Sequence, residues 1–198
     1  DIDRAEINKN VETDHHIIGN AKQVLALLNQ KVPQYDHSEW KEYVFSFPTE
    51  TAYDENPNHL TPKQILHTIA RLCPDDTIVS TDVGQHQMWA HQFLPREFPR
   101  TFLSSGGLGT MGFGFPAAIG AAVANPDAMV VCIAGDGSFQ MNSQEMATAA
   151  INGVPVKVMI LDNRCLGMVH QWQKLFYDKR YSCLLYTSDA ADDLIGVD

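Results

Sequence analysis

Met129-Val130-Val131-Cys132-Ile133-Ala134-Gly135-Asp136-Gly137-Ser138 and, further on, Val156-Lys157-Val158-Met159-Ile160-Leu161-Asp162-Asn163 decide the fold. Each is an apolar run of strand length that ends on a side chain bearing oxygen. Residues 143–152 between them predict a helix. A crossover of this kind is right-handed and brings the second strand back parallel to the first. Asp136 and Asn163, 27 positions apart, are therefore expected at one edge of one sheet, where open α/β folds bind ligands.

The two residue types suit one chemistry. Mg²⁺ takes oxygen ligands in octahedral geometry and is held by one or two protein groups plus the phosphates of a substrate. Asp136 offers charge, Asn163 a neutral carbonyl oxygen, and a loop backbone carbonyl near Cys165 a third ligand. Gly137 lets the backbone approach, and the amides of Gly137 and Ser138 can face phosphate oxygens.

Working outward, the pattern alternates. Thr61-Pro62 reads as the start of a helix over 62–72, with threonine as the cap and proline at the first helical position. Ile65, Leu66, Ile69 and Leu72 recur along it at helical spacing. Strand 77–81 leads into Asp82-Val83-Gly84 and a helix, and residues 100–103 form a short strand before a glycine loop, 106–114. Residues 115–122 make a helix of small residues. Alternating strands and helices predict an α/β fold, a mostly parallel sheet with helices on both faces. Nearer the start, Asp1-Ile2-Asp3 reads as a strand end. A helix is expected over about 20–30 with Val24, Leu25, Leu27 and Leu28 on its apolar face, ended by Pro33. Residues 33–60 read as a linker, its Trp40, Tyr43, Phe45 and Phe47 packing onto a domain.

The formal net charge of −10 over 198 residues, without basic clusters, argues against nucleic acid and against an anionic membrane surface. No apolar run approaches the length of a membrane span, and the polar start is no signal peptide. Cys73, Cys132, Cys165 and Cys183 lack metal spacing and read as reduced thiols of a cytoplasmic protein. An acidic chain that binds a polyanion needs a cation between them, which agrees with the metal bridge. The glycine loop does not follow the order of a dinucleotide fingerprint, and no Walker A sequence is present.

Gly135-Asp136-Gly137-Ser138 followed by Asp162-Asn163 resembles the thiamine-diphosphate signature. Three more runs resemble the acetolactate (acetohydroxyacid) synthase large-subunit branch of that family: 83–89, 105–112 and 163–172. The similarity extends over about 1–182. It implies Mg²⁺ held by Asp136, Asn163 and the backbone carbonyl of Cys165. It places Gly84, Gln85, His86, Gly135, Gly137, Ser138, Gly167 and Met168 at the cofactor, with Gln85 and His86 donating toward the diphosphate. Gly109 and Met111 would lie under the thiamine rings, the Met111 side chain wedged between them to bend the cofactor. Trp172 would line the substrate channel, and Asp1 would lie near the adenosine part of FAD. Where many relatives carry Asn-Asn, this chain has Asp162-Asn163, which adds charge but keeps the ligand at the second position.

The resemblance further implies domains. Residues 1–32 would be the tail of a middle, FAD-type domain, and 61–182 a thiamine-diphosphate domain cut at its end. Residues 183–198 resemble translated sequencing-adapter DNA and are expected to be non-native. The implied enzyme is a transferase that decarboxylates pyruvate and joins the two-carbon unit to a second 2-keto acid, pyruvate or 2-ketobutyrate, in branched-chain amino-acid biosynthesis. It would work as a homodimer or homotetramer of large subunits with a possible regulatory small subunit. The family's catalytic glutamate would lie in an amino-terminal domain, so no catalytic residue is expected here and residues 1–182 alone should be inactive. Two other readings stay open: a thiamine-diphosphate relative such as a pyruvate oxidase, sulfoacetaldehyde acetyltransferase or glyoxylate carboligase, and a non-catalytic module keeping the fold.

Overall fold

The computed structural model describes residues 1–47, 60–94 and 97–182, so the Pro48 and Pro57 part of the linker, Cys183 and the 183–198 tail lie outside the described residues. The chain divides into two compact units, 1–49 and 50–198.

In the first unit Asp1-Ile2-Asp3 is not a strand. Asp3 instead caps a 3₁₀ turn, Arg4–Glu6, accepting from the Ala5 amide at 2.9 Å. No described residue of this unit is in a strand, so the segment has no ladder to join. Helix α1 (Ala21–Lys31) begins at Asn20, whose side chain accepts from the Lys22 amide at 3.0 Å, as its cap type dictates. Its apolar residues find no burial: Leu25 and Leu27 are each 58% exposed. A second helix, α2 (Ser38–Phe45), occupies part of the expected linker. Trp40, Tyr43 and Phe47 pack on one another with ring centroids 5.7 and 5.0 Å apart, but all three stay mostly exposed.

The second unit holds the sheet. Its elements run α3 (Pro62–Leu72), β1 (Ile78–Thr81), α4 (Gln85–Phe93), β2 (Phe102–Ser104), α5 (Gly114–Ala124), β3 (Val130–Gly135), α6 (Asp136–Gln140), α7 (Glu145–Ile151), β4 (Val156–Leu161) and α8 (Gly167–Phe176). Thr61 and Gln64 close a capping box at the start of α3, with Pro62 at its first position, as the sequence indicates. The four strands are all parallel in the order β2-β1-β3-β4. Alternation along the strands sends Ile78, Val130, Cys132 and Ala134 to a core with α5, and Val79, Val131 and Ile133 to a core with α3 and α4. Helices thus cover both faces, as the alternating pattern predicts. Leu72, assigned to the apolar stripe of α3, is 71% exposed at the last position of the helix while Leu66 and Ile69 are buried.

The strand order also places the site. β1 is succeeded on one side by β2 and on the other by β3, so the connections diverge between β1 and β3. A crevice at the carboxyl ends is built where an open parallel sheet switches direction in this way.

Candidate cofactor site

Gly135 and Leu161 are register partners across β3 and β4, so the residues that follow, Asp136 and Asp162-Asn163, leave the sheet at one edge. Asp136 opens α6 directly, and Gly137 and Ser138 are buried in its first turn. The Ser138 hydroxyl accepts from the Gly135 amide at 3.1 Å and fixes this turn. After β4, Asn163 turns back on itself: its side-chain oxygen accepts from the Cys165 amide at 3.2 Å, and Asp162 accepts from the Arg164 amide at 2.9 Å. Arg164 takes the left-handed conformation, φ 55°, before α8 begins.

These edges surround a cavity of about 580 Å³. Gly84, Gln85 and His86 line it from the β1–α4 turn, Gly109 and Met111 from the glycine loop, and Gly135, Asp136, Gly137 and Ser138 from the β3–α6 turn. Asn163, Cys165, Gly167, Met168 and Trp172 line the remaining side. Every candidate from the second unit therefore faces one space. Asp1, in the first unit, lines a separate pocket with His15, His16 and Asn20. His91 and His170 do not line the cavity; their rings pack on Phe102 and Tyr181 at 4.6 and 4.8 Å.

His86 is the most constrained group in the wall. It is 5% exposed, and its Nε2 has no hydrogen-bond partner. Burial lowers its pKa to about 4, against the opposing pull of Asp82 and Asp136, so the ring is neutral at physiological pH. It lies so close to the backbone that a Cβ at Gly135 would sit 2.8 Å from its Nδ1, and only glycine allows that contact. The Cys165 thiol is held above its ordinary pKa by partial burial and by the Asp136 carboxylate, so it is a poor nucleophile. Cys132 is pushed up to about 12 by burial in the core, and Cys73, Cys132 and Cys165 are free thiols.

Gln85 joins two walls of the cavity through its side chain. Its amide donates to Gln171 on α8 at 3.1 Å and accepts from the Asn163 amide at 3.5 Å. Sequence reasoning missed Asp82 and Asn142, which hold the glycine loop from behind. Asp82 shares with Asp136 its place directly after a strand, but β1 ends on serine and threonine and the loop amides that Asp82 binds carry no side-chain signal.

Comparison with known proteins decides the family. The thiamine pyrophosphate enzyme family, in its C-terminal TPP binding domain, matches residues 82–194. The chain belongs to that family. A probable acetolactate synthase large subunit of Methanococcus aeolicus is 46% identical over 91% of this chain and 33% of its own length. The acetolactate synthase large subunit of Corynebacterium glutamicum is 47% identical over 92% of this chain and 30% of its own. For the isozyme 2 large subunit of Escherichia coli the figures are 45%, 92% and 33%. The chain thus spans about a third of the length of the curated relatives it matches.

The cavity of this thiamine pyrophosphate enzyme domain fits a diphosphate bridged by a hard cation. The buried, unpartnered Nε2 of His86 and the amides of the α6 turn offer polar groups to an anion. Among the described residues no cluster of three or more His, Cys, Asp or Glu side chains can hold a metal alone. A site of one carboxylate, one amide oxygen and a backbone carbonyl needs phosphate oxygens to complete it, which is the usual arrangement for Mg²⁺.

No helix among the described residues is long and apolar enough to cross a membrane.

Proposed function

We propose that this chain holds the diphosphate end of thiamine diphosphate and its Mg²⁺ in an acetolactate synthase large subunit. That enzyme decarboxylates pyruvate and joins the two-carbon unit to a second 2-keto acid, giving 2-acetolactate or 2-aceto-2-hydroxybutyrate for branched-chain amino-acid synthesis. The observation that carries the reading is the convergence of Asp136, Asn163 and Met111 on one cavity. The 45–47% identity to acetolactate synthase large subunits supports it.

In this reading Asp136, the Asn163 side-chain oxygen and the Cys165 carbonyl bind Mg²⁺. The Gly137 and Ser138 amides and His86 face the diphosphate, with Gly84, Gly135, Gly167 and Met168 close around it. Because His86 stays neutral, it presents one donor and one acceptor nitrogen and adds no charge of its own. Gly109 and Met111 carry the ring end, the Met111 side chain setting the bend. When bound, thiamine diphosphate supplies an electron sink that makes an acyl carbon nucleophilic. Trp172, 57% exposed on α8, borders the side where 2-keto acids would enter. No residue of this chain is assigned the glutamate that activates the cofactor: Glu145 lies outside the cavity and accepts from the Thr148 hydroxyl.

The same reading makes residues 61–182 the cofactor domain and 1–32 the end of an FAD-type domain, with Asp1 near the adenosine. It makes the assembled enzyme a cytoplasmic homodimer or homotetramer with a possible small subunit. The test is calorimetric binding of thiamine diphosphate to the full-length enzyme with and without Mg²⁺, together with product analysis. Binding should require Mg²⁺. Pyruvate alone should give 2-acetolactate, and added 2-ketobutyrate should give 2-aceto-2-hydroxybutyrate. Metal-independent binding, or products in which no new carbon–carbon bond appears, would refute it.

A further inference from the structure

We infer that the Asp82 carboxylate is a positioning residue for the wall of the cavity formed by Gly109 and Met111, and so determines affinity for the ring end of the cofactor. The inference rests on the thiamine-diphosphate reading of the cavity.

Asp82 follows β1 and is 1% exposed. Its amide donates to the Ile133 carbonyl at 2.9 Å, which locks its backbone to β3. One carboxylate oxygen accepts from the Val83 amide at 2.7 Å and the Gly112 amide at 2.8 Å; the other accepts from the Gly114 amide at 2.8 Å. A buried ionised carboxylate is costly unless its lone pairs are used. Here three backbone donors converge on it, and hydrogen bonds to a charged acceptor are about twice as strong as neutral ones. Two of these donors belong to the glycine loop, 30 and 32 residues away in sequence.

The loop is held from other sides as well. At its start Ser105 closes it, the carbonyl accepting from the Gly109 amide and the hydroxyl from the Thr110 amide, both at 3.1 Å. At its end the Ser80 hydroxyl donates to the Gly114 carbonyl at 2.8 Å, and Asn142 donates to the Gly112 carbonyl at 2.7 Å. Gly112 has φ 89°, and a Cβ there would lie 2.7 Å from the Asn142 amide nitrogen. Gly112, the residue after Met111, is thus gripped at both its amide and its carbonyl.

The chemistry requires an acid at position 82. An asparagine has one acceptor oxygen, and its amide would place donor against donor at Gly112 or Gly114. The consequence is largest at the ring end, because two of the three donors sit on the loop that bears Gly109 and Met111, whereas toward the diphosphate side Asp82 acts only through the Val83 amide and the charge it presents to His86.

The test separates the two ends of the ligand. Asp82→Asn in the full-length enzyme is titrated with Mg²⁺·thiamine diphosphate and, separately, with Mg²⁺·pyrophosphate, which lacks the rings. Thiamine diphosphate should bind about tenfold to a hundredfold more weakly, the size of one charge-assisted hydrogen bond lost. Pyrophosphate affinity should change by about threefold at most, since on its side only the Val83 amide and the charge facing His86 are altered, and no group assigned to the diphosphate is replaced. Gly112→Ala, which displaces the loop without altering Asp82, should show the same selective loss and serves if Asp82→Asn does not fold. Parallel loss of both ligands in these variants, or no loss of either, overturns the inference. If the unsubstituted enzyme binds neither ligand, it is the functional reading that fails.

Discussion

Two walls of the cavity are built in opposite ways. The glycine loop, 106–114, is tied to the core by a buried carboxylate through two bonds of 2.8 Å, and by Asn142 and Ser80 besides. The turn after β4, 162–167, is held by short-range contacts: Asp162 to Arg164 at 2.9 Å, Asn163 to Cys165 at 3.2 Å, and a long 3.5 Å contact from Asn163 to Gln85. Asp162, Asn163 and Arg164 are exposed. The Gly112–Gly114 end of the wall assigned to the rings is therefore the more firmly preformed, and the wall assigned to the metal has the weaker anchorage and the more to gain from what it binds. A preformed wall saves ordering entropy when the ligand arrives. A metal turn that tightens on binding makes the cation a condition of tight binding.

Removing the charged ligand proposed for the cation gives the largest break. Asp136→Ala should weaken Mg²⁺-dependent binding of thiamine diphosphate about a thousandfold, on the scale of truncating one partner of a close charge pair. Amide hydrogen exchange then tests the contrast itself. The Gly112 and Gly114 amides should be protected with or without ligand. The Arg164 and Cys165 amides should gain protection with Mg²⁺ and thiamine diphosphate in the unsubstituted enzyme and gain none in Asp136→Ala. Protection of 164–165 before any ligand is added would erase the distinction between the walls.

Next in size is the response of the ligand-free protein to acid, which reports on the β1–α4 turn. His86 titrates at about 4 in the folded chain against 6.5 for the free side chain. The unfolded state therefore binds the proton first as pH falls. Above about 6.5 both states are neutral at this residue and it costs nothing. Between about 6.5 and 4 the penalty grows, and below 4 it is complete at about 3 kcal/mol. Urea denaturation across this window should show stability falling with pH, and His86→Gln should flatten that part of the curve. An unchanged slope in the variant would show that His86 is not held neutral by its surroundings.

The sequence shows the metal side more openly than the ring side for a physical reason. Asp136 and Asn163 are local signals, each an oxygen at the end of an apolar strand, and parallel pairing alone brings them together. The capping box at Thr61 and the alternation of β3 are equally local, and α3 and β3 stand as read. Asp82 acts on amides 30 and 32 residues away, and backbone donors leave no trace in side-chain pattern. Helix α2 was hidden for a different reason. Prolines on both sides and a cluster of aromatics suggest a linker, and the helix buries nothing that would impose an apolar stripe. The three-residue start failed as a strand because a strand needs a partner, and position in sequence cannot supply one.

The smallest test concerns what little holds the metal turn before a ligand comes. Gln171 accepts from Gln85 at 3.1 Å, and Gln85 in turn faces the Asn163 amide, so a side chain on α8 steadies the group that orients a proposed metal ligand. The contacts are neutral and partly exposed, and one such bond contributes about 1 kcal/mol at most. Gln171→Ala should therefore raise the dissociation constant for Mg²⁺ in the presence of thiamine diphosphate by about threefold to fivefold. Pyrophosphate, which reaches the same metal, should be affected by the same factor. That shared factor separates Gln171 from Asp82, whose loss should fall mainly on the ring-bearing ligand. If Gln171→Ala weakened thiamine diphosphate and left pyrophosphate unchanged, α8 would belong with the ring wall, and the metal turn would have no support beyond its own backbone.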